Sequence, residues 1–90
     1  MKIEWSLQAL SDLDQVQSYL EERSPRASQR MWARIHQRVG LQASMPLAAP
    51  LYREGPARLL YVSGTPYLVL YIVEADTLKV EAVLHTSQNR

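Results

Sequence analysis

No cysteine occurs anywhere in the 90 residues, so disulfides, thiolate metal sites and cysteine nucleophiles are excluded from the start. That fits a reducing compartment. No stretch approaches the roughly 20 apolar residues that a membrane span needs, and the opening Met1-Lys2-Ile3-Glu4-Trp5 lacks the long apolar run of a secretory signal. A cytoplasmic protein without a membrane partner is the expectation. The two histidines, His36 and His85, share no His-x-x-His spacing, so no metal site is expected. Gly40, Gly55 and Gly64 are isolated, which rules out a phosphate-cradling loop and leaves no cofactor to propose. Ser11, Ser28 and Ser87 have no visible triad partner, so serine hydrolysis has no support. Lysine is scarce as well: only Lys2 and Lys79 occur, and the remaining cations are arginines.

What is present describes an ordinary folded chain. An apolar share of 47% and a charged share of 21% are those of a globular domain and not of a disordered segment. Residues 1–90 have room for one domain, near the lower size limit for a self-sufficient core. The net charge of +1 hides three blocks: one Lys against five acids over 1–22, seven Arg against one Glu over 23–58, and two cations against three acids over 59–90. The basic block is thus rich in planar, bidentate donors suited to carboxylate or phosphate.

Ile3 and Trp5 alternate with Lys2 and Glu4, a short strand signal, and Ser6 follows as an N-cap. Leu10, Leu13, Val16 and Leu20 recur at helical spacing, which predicts an amphipathic helix of about four turns. Ser24-Pro25 stops that helix and opens a second, with Ser24 as N-cap and proline at the first position. On the second helix Ser28, Met31, Trp32, Ile35 and Val39 share one side, predicted to be buried. Arg26, Arg30, Arg34 and Arg38 form a band beside it, each stepping about 40° from the arginine four residues before. From Gly40 to Ala57 small residues and prolines predict a connecting loop.

Three apolar runs, Arg58–Val62, Tyr67–Val73 and Leu78–His85, are separated by turn residues and predict an antiparallel meander. The middle run is apolar on both faces and reads as a covered central strand, whereas Lys79, Glu81 and His85 give the last run one wet face. The expected architecture is α+β, ordered β-α-α-β-β-β, with two antiparallel helices packed on a mainly antiparallel sheet. Burial is expected to centre on Leu13, Val16, Leu20, Ile35, Val39, Leu70, Ile72, Val80 and Leu84.

Particular residues along this order resemble the RelE/ParE superfamily of toxins from bacterial type II toxin-antitoxin systems. The opening Ile3-Glu-Trp-Ser6 with Ala9 and Asp12-Leu13 is similar to the family's strand-to-helix start, and Tyr19-Leu20 with Ser24-Pro25 and Ala27 to its helix junction. Thr65-Pro-Tyr67 with Leu70-Tyr71 resembles the "PYRVLY" strand, and Val83-Leu-His85 with Gln88 and Arg90 the "VLH…R" terminus. In ribonuclease members the residue after that tyrosine is an arginine directed at RNA phosphate; here it is Leu68, and no lysine lies between Lys2 and Lys79. Both departures point to the ParE-like branch, which implies a binding toxin directed at a target such as DNA gyrase and held in a hetero-oligomer with a cognate antitoxin. Two other readings remain: a ribosome-dependent endoribonuclease acting on mRNA, and a non-toxic interaction module on the same scaffold.

For the ribonuclease, His85 is the candidate general base, with Arg58 and Arg90 as the cations about the phosphate. A strand-end histidine making a structural hydrogen bond is the plainer reading of His85. For partner binding the candidates are Arg26, Arg30, Arg34 and Arg58, set against an acidic protein surface. Glu21 and Glu22 are near enough in sequence to pair with the row instead, leaving it a solvated helix face. Trp5, Trp32, Tyr19 and Tyr71 read as core aromatics, and His36 falls at the edge of the buried stripe.

Overall fold

A computed structural model describes residues 1–87. Its elements run β1 (Lys2–Trp5), α1 (Leu7–Glu21), α2 (Pro25–Gln42), β2 (Arg58–Tyr61), β3 (Tyr67–Glu74) and β4 (Thr77–His85), the expected order. Both caps are where the sequence puts them. Ser6 Oγ accepts from Ala9 N and Ser24 Oγ from Ala27 N, satisfying amides that have no partner within the helix. Three residues, Glu22 to Ser24, join the helices, and the buried Ser28 lets them approach closely enough for its hydroxyl to donate to the Gln17 carbonyl. Helix α2 continues past Gly40, which faces open space, so the loop starts later than its composition implies.

The four strands form one sheet in the order β1-β4-β3-β2. Strands β2, β3 and β4 are an antiparallel meander, while β1 lies parallel to β4 and makes the sheet mixed. Beyond Trp5 the outer edge of β4 loses its strand partner, and α1 takes over. Ser6 N donates to Val80 O, Ser6 Oγ to Glu81 O, and Val83 N to Asp12 Oδ2 at 2.9 Å. An exposed row of strand donors and acceptors is thereby capped by side chains of the adjoining helix.

The core corrects part of the expected list. Leu13, Ile35, Val39 and Val80 are buried as anticipated, and Val16 and Leu20 are half-buried. Leu70, Ile72 and Leu84, however, lie on the sheet face away from the helices; the residues beneath them are Tyr67, Val69, Tyr71, Val80 and Val83. Two local facts explain the reversal. Strand β3 is apolar on both faces, so alternation does not choose between them. In β4 the pairing passes from Leu70↔Ala82 to Tyr71↔Val80, leaving Glu81 as an extra residue, a β-bulge that shifts the alternation by one. Leu78 and Val80 point to the helices before the bulge, and Val83 after it.

The segment from Ala43 to Ala57 is pinned by a polar network. Tyr71 Oη donates to Pro46 O at 2.6 Å, Gln42 Nε2 donates to Tyr71 Oη and Met45 O, and Arg38 Nη1 donates to Gln42 Oε1. Arg58 Nη1 donates to the carbonyls of Leu47 and Ala49. Gln42 is thus buried with its amide satisfied, as burial of a polar group requires. No helix among the described residues is long and apolar enough to cross a membrane.

Candidate functional site

The bulge at Glu81 also relocates His85. By simple alternation the ring falls on the wet face; in the structure it sits on the helix side, paired in register with Tyr67 and packed edge-on against that ring at 5.3 Å between centroids. It joins Asp12, Gln15, Val16, Tyr19, Tyr67, Val83 and Ser87 around an open cleft of about 520 Å³ between α1 and the end of β4. Burial raises the Tyr67 phenol above its ordinary pKa, and the neighbouring Tyr19 phenol adds to the shift. Tyr19 is 54% exposed and not part of the core, and Arg23 lies over its ring at 3.8 Å.

His85 Nδ1 accepts the backbone N–H of Ser87 at 3.0 Å, and the Ser87 hydroxyl is 2.8 Å from the same nitrogen. A backbone amide only donates, so Nδ1 serves as an acceptor within this turn. This is a strand-end turn rather than an activated serine. The described residues lining the cleft include no lysine or arginine.

Arg58 does not share this site. It pairs with Tyr71 on one side of β3, whereas His85 pairs with Tyr67 on the other, four residues along the strand or about 13 Å. Its guanidinium holds the 47–49 backbone instead. Arg90 lies outside the described residues. Leu68, at the family's arginine position, sits on the sheet face that carries no helix. Among the described residues no cluster of metal-ligating side chains occurs.

The arginine row is where α2 meets solvent and the β2–β3 turn. Arg26 and Arg30 make no hydrogen bond or ion pair among the described residues, and Arg34 Nη2 donates to Ser63 O at 2.7 Å. The pairing with Glu21 and Glu22 that their nearness in sequence allowed is absent: the one ion pair among the described residues joins Lys79 to Glu74. Arg30, Arg34 and Gln37 border a second cleft of about 450 Å³, which Ala27, Met31, Ala33, Gly64 and Thr65 also line. On the opposite rim of α2, Trp32 is 45% exposed and stacks on His36, which stacks in turn on Trp5, with centroids 3.8 and 4.7 Å apart. Trp5 packs against the core as the sequence suggested, but Trp32 does not, and the His36 stack was not foreseen. Periodicity marks the rim of a stripe but not how far a large ring extends past it.

Comparison with known proteins gives a coherent result. A family model described as "ParE toxin of type II toxin-antitoxin system, parDE" matches residues 3–90. "Putative toxin Y4kP" of Sinorhizobium fredii is 32% identical over 87 residues, covering 97% of this chain and 90% of that protein. A solved structure described as "Chromosomal ParDE TA system from P. aeruginosa" superposes with a TM-score of 0.79 at 22% identity, covering 94% of this chain and 95% of that one, a likeness of fold.

Proposed function

The chain belongs to the ParE toxin family of type II toxin-antitoxin systems, and from that membership we propose that it is a cytoplasmic toxin that arrests growth by binding DNA gyrase and is neutralised by a cognate antitoxin docked on α2. The observation that carries the docking is the unpaired arginine row. Arg26, Arg30 and Arg34 stand on one helix face with no carboxylate within ion-pair distance among the described residues. Such a surface complements an acidic partner and speeds its capture. Arg58 contributes by holding the neighbouring loop in place.

Binding, rather than RNA cleavage, is favoured by the surroundings of His85. A ribonuclease needs a base on the ribose hydroxyl and cations around the phosphate, and each missing group costs orders of magnitude in rate. Here the imidazole accepts a backbone amide, Arg58 is held elsewhere, and the described part of the cleft is lined by phenols, an amide and a carboxylate.

Expression without antitoxin, with gyrase supercoiling and mRNA cleavage on purified ribosomes measured side by side, tests this reading. Gyrase inhibition that survives His85→Ala is the expected result, because a spread interface tolerates loss of one side chain better than a catalytic site does. Codon-position-specific cleavage lost in His85→Ala or Arg90→Ala, with gyrase untouched, would establish the ribonuclease instead. For the docking, Arg30→Glu with Arg34→Glu is expected to weaken antitoxin binding by at least about a hundredfold, as like charges replace complementary ones. Unchanged affinity alongside lost ribosome binding would reverse the assignment.

A further inference from the structure

The cleft between α2 and the β2–β3 turn has a feature that a generic charged helix face lacks. Arg34 reaches across it, and its Nη2 donates to Ser63 O at 2.7 Å. The adjoining residue is Gly64, at φ +79°, and a Cβ built there would stand 3.0 Å from that same Nη2. The guanidinium therefore lies close against a turn whose positive φ favours glycine, and a Cβ there would press on its end. One of its donors is spent on Ser63, and the remaining N–H groups stay on the planar fork. Arg30, one turn earlier, borders the same cleft with no partner among the described residues, and Gln37 adds an amide.

We propose that this cleft is a receptor for a carboxylate side chain on an acidic, helical segment of a protein partner, with Arg34 held in place as the bidentate fork by Ser63 and Gly64. The proposal rests on the reading that an acidic antitoxin docks on α2. A pre-oriented guanidinium loses less freedom on binding than a solvated one, and it matches two carboxylate oxygens at once. Ala27 and Met31, half-buried in the lining, offer apolar surface to the aliphatic stem of such a side chain. Nucleic acid fits less well. The aromatics of α2 are on the far rim, stacked with Trp5, and the chain's net charge of +1 gives little general attraction for a phosphate backbone.

The test uses the whole chain and two labelled probes. One is a peptide of repeated Glu-Ala-Ala-Ala units, which sets glutamates one helical turn apart to match Arg30 and Arg34; the other is an oligothymidylate of equal charge. Binding is followed by fluorescence anisotropy at constant salt. Expected are binding of the peptide to the wild-type chain and a loss of about tenfold in Arg34→Lys, which keeps the charge but not the fork. Gly64→Asn, tolerated at positive φ but carrying a Cβ, should weaken binding while leaving thermal unfolding near the wild-type value. Arg23→Lys, away from the cleft, should leave binding unchanged. Equal affinity of wild type and Arg34→Lys would overturn the receptor while leaving antitoxin docking intact. Failure of the peptide to bind at all, or tighter Arg34-dependent binding of the oligothymidylate, would overturn the choice of a carboxylate. Loss of the toxin-antitoxin complex itself is read separately, by co-purification of the two proteins.

Discussion

The two faces of β3 are almost equally apolar and meet opposite fates. Tyr67, Val69 and Tyr71 are buried beneath the helices, whereas Leu68, Leu70 and Ile72 stay half-exposed on a face with no helix over it. Hydrophobicity accounts for the strand but not for the choice between its sides. The side that wins is the one whose polar atom finds partners: Tyr71 is fully buried, and its hydroxyl both donates to Pro46 O and accepts from Gln42. With Leu70 inward in its place, the same contacts would be lost and a buried Gln42 amide would be left short of a partner, at a cost of about 1–3 kcal/mol.

The contrast breaks or holds on three measurements. The largest effect is expected for Ile35→Ala, which empties a fully buried site under the helices and should cost about 2–5 kcal/mol in urea unfolding. Leu70→Ala, on the open face, should cost less than about 1.5 kcal/mol. Equal losses would mean that the open face is packed as tightly as the covered one. Next comes Tyr71→Phe, which keeps the ring and deletes the hydroxyl. About 1–3 kcal/mol is expected, with faster proteolysis of the segment between Ala43 and Ala57. A neutral result would show that ring packing alone selects the face.

The smallest effect is a pH dependence. Because the Tyr67 phenol is raised in the folded state, that state holds the proton more tightly than the unfolded chain does. Its contribution is complete below the ordinary tyrosine pKa of about 10 and is lost as pH rises through the folded value. Wild type should therefore lose stability on alkalinisation faster than Tyr67→Phe. Parallel curves for the two proteins would remove burial of this hydroxyl from the account.

Much of the fold was legible in the sequence because its signals are local. Ser6 and Ser24 cap the helices they precede, Pro25 opens α2, and three apolar runs with turn residues between them become the meander. What escaped was decided at a distance. The bulge at Glu81 has no marker within β4, since Val80, Ala82, Val83 and Leu84 serve equally well in either alternation, and it moves His85 from one face to the other. The candidate site divided in the same way. The arginine row followed from helical spacing alone, but the absence of Glu21 and Glu22 as its partners depends on how the helix junction turns. The cleft at Gly64 joins residues some thirty positions apart, and Arg58 became a clamp on a loop whose path composition does not reveal.

The pairing of β1 with β4 bears on when, and not only how, this protein comes into being. Lys2 to Trp5 leave the ribosome well before their strand partner, Thr77 to Val80, and the Ser6 hydroxyl must wait for the carbonyl of Glu81. During synthesis the helical hairpin can form early from local contacts, while the sheet beneath it lacks the strand that joins β1 to β3 until β4 has emerged. Until β4 emerges, the core side of both helices has no complete sheet to cover it.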